Sequence, residues 1–120
     1  MDCEHLTPPL HQGLADGRWH SLSLMEQLAN IGSETGRAIS WHKRGNLLYR
    51  DHALHRTLEL IDLTLSDLRW RGRLREITRT REVLCDLFYG ENVYNVSMDE
   101  LEKYFYSFAY AVRYGSKPSQ

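Results

Sequence analysis

The sequence predicts an all-α protein, an up-down antiparallel four-helix bundle, on three observations. Apolar residues recur at spacings of three and four through most of the chain, two Ser-x-x-Glu capping boxes open helices, and no alternating strand pattern of useful length competes. At 120 residues and 42% hydrophobic, the chain has the size of one domain that can bury a core without staples.

The elements follow in order. Residues 1–20 hold the Pro8-Pro9 pair, Gly13, Gly17 and three histidines with little periodicity, and read as a flexible N-terminal arm anchored by Trp19. The bundle is expected over 21–115. Its first helix starts at the capping box Ser23-Leu24-Met25-Glu26, carries Leu24, Leu28, Ile31, Thr35, Ala38 and His42 on one face, and runs to about Arg44, where Gly45-Asn46 stops it. The second begins near Leu47 and aligns Leu47, Leu54, Leu58, Ile61, Leu65 and Leu68; so short a connection makes these two helices antiparallel neighbours. A third, from about Arg69 or Trp70 to Tyr89, aligns Trp70, Leu74, Ile77, Leu84 and Phe88, with Arg81 where the stripe expects an apolar side chain. Gly90 closes it. The box Ser97-Met98-Asp99-Glu100, with Val96 and Leu101 as a hydrophobic staple, opens a fourth helix bearing Leu101, Phe105, Phe108 and Val112. Gly115 and Pro118 end it, leaving a polar tail over 116–120.

Charge is more informative in its distribution than in its total. Fifteen basic residues stand against sixteen acidic, with a pI near 6.6, so bulk attraction to a polyanion or an anionic membrane is not expected. Six of the twelve arginines nevertheless fall within thirteen residues: Arg69, Arg71, Arg73, Arg75, Arg79 and Arg81. Guanidinium groups suit bidentate contacts to phosphate or carboxylate, and this run contains no Lys. On a regular helix Arg71, Arg75 and Arg79 form an i, i+4 ladder, with Asp67 in reach of Arg71 and Glu76 in reach of Arg73 or Arg79. Too few acids lie nearby to neutralise six cations, so several are expected to face a partner, and Trp70 offers a stacking surface for unpaired bases. Arg81 either pairs with Glu34 or Asp62, or lays its stem along the core with its head in water.

Cys3 and Cys85 form neither a disulfide framework nor a zinc spacing, which reads as a reducing compartment. With no apolar run near the ~18 residues of a membrane span and no signal-peptide pattern at the N-terminus, a cytoplasmic protein without membrane contact is expected.

Other constellations carry weaker chemistry. His52, His55, Glu59 and Asp62 share one side of the second helix at ligand-like spacing but lack reciprocal ligands on a neighbour, so neither metal nor cofactor is expected. Ala29, Gly32, Ser33, Gly36 and Ser40 make a small-residue ridge on the first helix, where each interior glycine costs about 0.8–1 kcal/mol relative to Ala. Tyr104, Tyr106, Tyr110 and Tyr114 surround the fourth helix, and those outside the core mark a partner interface or a homo-oligomer contact.

The stretches LSLMEQLANIGSETGRAISWHKRGN, ALHRTLELIDLTLSDLRWRGRLREITRTREVLCDLFYG and LEKYFYSFAYAVR resemble a group of small bacterial proteins of unassigned function. In size and architecture the chain is similar to the accessory variability determinant of diversity-generating retroelements, which implies a helical bundle that oligomerises and binds a reverse transcriptase and nucleic acid. Arg37 and His42 show the Arg-x4-His spacing of HEPN-domain ribonucleases, although that family's motif lies late in its bundle and this pair lies in the first helix. The expected function is a non-enzymatic accessory or adaptor that presents Arg69, Trp70, Arg71, Arg73, Arg75 and Arg79 to RNA, DNA or a nucleoprotein enzyme. A HEPN-type ribonuclease and a purely structural homo-oligomer are the alternatives.

Overall fold

A computed structural model of the chain describes residues 17–115. The arm predicted over 1–20, up to residue 16, and the polar tail over 116–120 lie outside the described residues. Of those described, 84% are helical and none lies in a strand. Four α-helices form: α1 (Leu24–Lys43), α2 (Leu47–Leu65), α3 (Leu74–Tyr89) and α4 (Met98–Tyr114). A 3-10 turn, Trp19–Ser21, precedes α1, and a 3-10 segment, Leu68–Arg73, joins α2 to α3.

Local chemistry sets most of the boundaries. Both capping boxes are present: Ser23 and Ser97 accept from the amides of Glu26 and Glu100, whose carboxylates accept in return from the cap amides. Asn46 caps α2 through Tyr49 N–H at 3.1 Å. Gly45, at φ 78°, supplies the left-handed turn between α1 and α2.

α1 packs along both α2 and α4, and α2 packs along α3. Leu28, Ile31, Ala38 and Ile39 of α1 meet Leu54, Leu60 and Ile61 of α2, Ile77, Leu84 and Phe88 of α3, and Leu101, Phe105 and Phe108 of α4 in one buried core. The approach of α1 to α4 depends on Gly32, where a Cβ would sit 2.6 Å from Cβ of Phe105. Trp19 closes one end of the core at 1% exposure. Buried threonines satisfy themselves locally: the hydroxyls of Thr35, Thr57 and Thr64 donate to carbonyls four residues earlier.

Three expectations change. The third helix does not begin at Arg69 or Trp70. The Asp67 carboxylate accepts from Arg69 N–H at 3.0 Å and starts a 3-10 turn, Trp70 leaves helical geometry (φ -102°, ψ 22°), and the α-helix begins only at Leu74. The outer positions of the predicted stripes are not core: Leu47, Leu68 and Val112 are 51%, 77% and 47% exposed. Cys85, half-buried on α3, is not a free thiol. Cysteine usage therefore does not argue for a reducing compartment, and Cys3 lies outside the described residues.

Between α3 and α4 the chain turns through 90–97 around Asp86, whose carboxylate accepts from Val93 N–H (2.9 Å) and Tyr94 N–H (3.0 Å). Asn92 and Asn95 take left-handed φ values of 54°, which Asn tolerates better than most residues. No helix among the described residues is long and apolar enough to cross a membrane.

Candidate nucleic-acid interface

The arginine run folds as two unlike pieces. Arg69, Arg71 and Arg73 lie in the 3-10 segment, with three residues per turn, whereas Arg75, Arg79 and Arg81 lie on α3. Arg71, Arg75 and Arg79 therefore do not form the ladder expected of a continuous helix. Most of the run is also neutralised within the chain. Arg73 Nε donates to Glu76 at 3.1 Å, Arg79 approaches Glu82 at 3.8 Å and lies over the Tyr94 ring, and Arg81 Nε donates to Asp62 at 2.9 Å. Asp62 is thus the carboxylate that Arg81 takes; Glu34, the other candidate, binds Arg37 and Arg56 instead.

Asp67 organises the corner. Its partner is Arg69 rather than Arg71: Arg69 donates to both carboxylate oxygens and to Leu22 C=O, and its guanidinium lies 4.4 Å from the Trp70 ring centroid. His20 Nδ1 (3.3 Å) and Gln27 Nε2 (3.4 Å) also reach Asp67. Gln27, completely buried, donates to Trp19 C=O and accepts from Trp70 Nε1 at 2.8 Å, while Trp19 Nε1 donates to Thr64 at 2.9 Å. One polar network thus ties the turn before α1 to α1, to the end of α2 and to the 3-10 segment. The Arg69 guanidinium holds the Asp67 carboxyl well below the usual carboxylate range against the opposing effect of burial, and Asp67 in turn raises Arg69.

What remains is small and well placed. Arg71 and Arg75 are exposed and have no carboxylate or ring partner among the described residues. They follow Trp70 in the chain, Arg71 in the 3-10 segment and Arg75 in the first turn of α3, and the Arg69 guanidinium lies over the Trp70 ring. A cation pair beside a stacked Arg–Trp unit can take phosphate oxygens without first breaking an internal ion pair.

The other sequence-picked residues scatter. Among the described residues no group of three or more His, Cys, Asp or Glu could hold a metal ion; His52 stacks on Tyr49, and Asp62 serves Arg81. Arg37 binds Glu34 at 3.2 Å, whereas His42 Nδ1 lies 3.1 Å from Arg50 and its ring meets Phe88 edge-on. The two share no contact that would make a site. On α4, Tyr106 and Tyr114 are exposed and Tyr110 bridges them, with ring centroids 6.4 and 4.7 Å apart. Tyr104 turns inward, edge-on to Phe105 and Phe108 and 3.2 Å from the Thr80 hydroxyl, and burial raises its phenol above the ordinary value.

Sequence reasoning missed the Gln27–Asp67–Trp70 network and the Asp86 loop cap. Asp67, two residues before the first arginine, was the available signal, since Asp followed by a polar residue at that spacing also starts a capped turn. No protein-family model, curated protein or solved structure matches the chain.

Proposed function

We propose that this protein is a non-catalytic accessory bundle that offers its arginine corner to the phosphate backbone of RNA or DNA, alone or as part of a nucleoprotein enzyme such as a reverse transcriptase. Its helices alternate in direction, an up-down arrangement supported by the three-residue connection 44–46 and by the capped loop over 90–97. The observation that carries the functional reading is that Arg71 and Arg75, exposed just after the Arg69–Trp70 contact in the chain, have no carboxylate partner among the described residues. The ribonuclease alternative needs Arg37 and His42 to act on one phosphate, and their separate contacts favour binding over cleavage.

Within the arginine run, two guanidiniums without a carboxylate partner among the described residues set the scale of the effect. Neutralising two phosphates gives a log–log salt slope of about -1.4 for a single strand and about -1.8 for a duplex. Fluorescence anisotropy with a labelled single-stranded oligonucleotide is expected to show this slope. The Arg71→Glu/Arg75→Glu variant is expected to lose binding, while Arg73→Gln, whose cation is already met by Glu76, changes it little. Unchanged binding in the double variant refutes the reading.

A further inference from the structure

The outward side of α4 carries Glu102, Tyr106, Ala109 and Arg113 at spacings of four, three and four, which place them on one stripe of a helix. Tyr106 projects from this stripe at 63% exposure. Beside it, between α1 and α4, lie two hollows of about 380 and 200 Å³, both walled by Tyr106 and floored by Ala29, Ser33 and Ala109. Gly36 continues that floor in the smaller hollow, and a Cβ there would meet nothing within 4 Å, so no packing among the described residues explains its lack of a side chain. Glu102 and Arg113 are both exposed, and neither has a charged partner among the described residues.

A projection, a recess and two opposite charges on one stripe complement a copy of themselves. If a second α4 runs antiparallel with the two-fold axis midway between positions 107 and 108, Glu102 faces the partner subunit's Arg113 at both ends. The same register places Tyr106 over the partner subunit's Ala109. A parallel pairing in register instead sets Glu102 against Glu102 and Arg113 against Arg113, which electrostatics disfavours. Such an isologous contact closes on itself and buries aromatic rings of the kind enriched at interfaces.

We propose that the chain forms a two-fold antiparallel dimer through this α4 stripe, with Tyr106 of each copy seated in the α1–α4 hollow of the other and Glu102–Arg113 pairs at both ends. The arginine corner lies on other elements, so this dimer stands or falls independently of nucleic-acid binding.

Sedimentation equilibrium of the full chain across a concentration series tests it. The wild type is expected to be a dimer, and Tyr106→Glu a monomer with an unchanged helical circular dichroism spectrum. Because symmetry makes each substitution strike two ion pairs, Glu102→Arg and Arg113→Glu alone each weaken dimerisation about tenfold, and the double variant returns to within about threefold of wild type. A wild type that stays monomeric, a dimer indifferent to Tyr106→Glu, or a double variant no tighter than either single one overturns the proposal.

Discussion

Asp67 shows how a single residue can govern a corner of the molecule. A carboxylate at 6% exposure loses most of its hydration, and it keeps its charge here because Arg69 binds both oxygens while His20, Gln27 and the Arg69 amide supply further donors. Its folded-state affinity for a proton lies below that of the unfolded chain, where the value is near 3.8. The stability it contributes is therefore fully present above about pH 5 and is lost as acid protonates the group, because the unfolded chain takes up protons first. Asp67→Asn is expected to cost about 2 kcal/mol at neutral pH, since the donors around it lose a charged acceptor. Urea denaturation at pH 7, 5 and 3 checks this: the wild type loses stability on the last step more steeply than the variant does. Asp67 was legible in the sequence as a neighbour of the arginines, but its assignment to Arg71 assumed a regular helix from Arg69. The capped 3-10 turn shortens that reach and delivers Arg69 instead.

At the scale of elements, α1 separates two meanings of an interior glycine. Gly32 and Gly36 sit on one small-residue ridge, and sequence alone gives both the same propensity cost. The structure distinguishes them: a Cβ at 32 collides with the backbone-proximal carbon of Phe105, which cannot swing aside, whereas one at 36 meets open space. Gly32→Ala is expected to destabilise by about 1–3 kcal/mol through overpacking of α1 against α4, and Gly36→Ala to stabilise by about 0.5–1 kcal/mol. Thermal denaturation of the two variants in dilute solution gives the sign of each. The same contrast runs through the boundaries. The Ser23 and Ser97 caps are local devices and were read from neighbouring residues, whereas the Asp67-capped 3-10 turn before α3 carries a Trp70 that donates to Gln27 on α1, 43 positions earlier.

Across the whole molecule, Trp19 links the turn before α1 to the body of the fold. It is 1% exposed, packs into the core and donates to Thr64 at the far end of α2, while its carbonyl accepts from Gln27. Trp19→Ala is expected to cost about 3–5 kcal/mol by opening a cavity at that end and to lower Tm by at least about 12 °C. A near-wild-type Tm would show that the turn is merely draped on the surface. The charge pattern also resolves at this scale. The chain is close to neutral, and pairing of Arg69, Arg73, Arg79 and Arg81 with Asp67, Glu76, Glu82 and Asp62 leaves a localised surplus on Arg71 and Arg75.

The sequence by itself determined that four helices form, the two capping boxes and most of the core stripes, because periodicity, capping side chains and turn glycines act within a few residues of one another. Only the tertiary structure decided which arginines remain free, which glycine is structurally required and which tyrosines face outward. Each of those depends on a partner brought from elsewhere in the chain: Asp62 to Arg81, Phe105 to Gly32, and Thr80 to Tyr104. Spacing along one helix says which side chains share a face. What meets that face is set by how the helices pack.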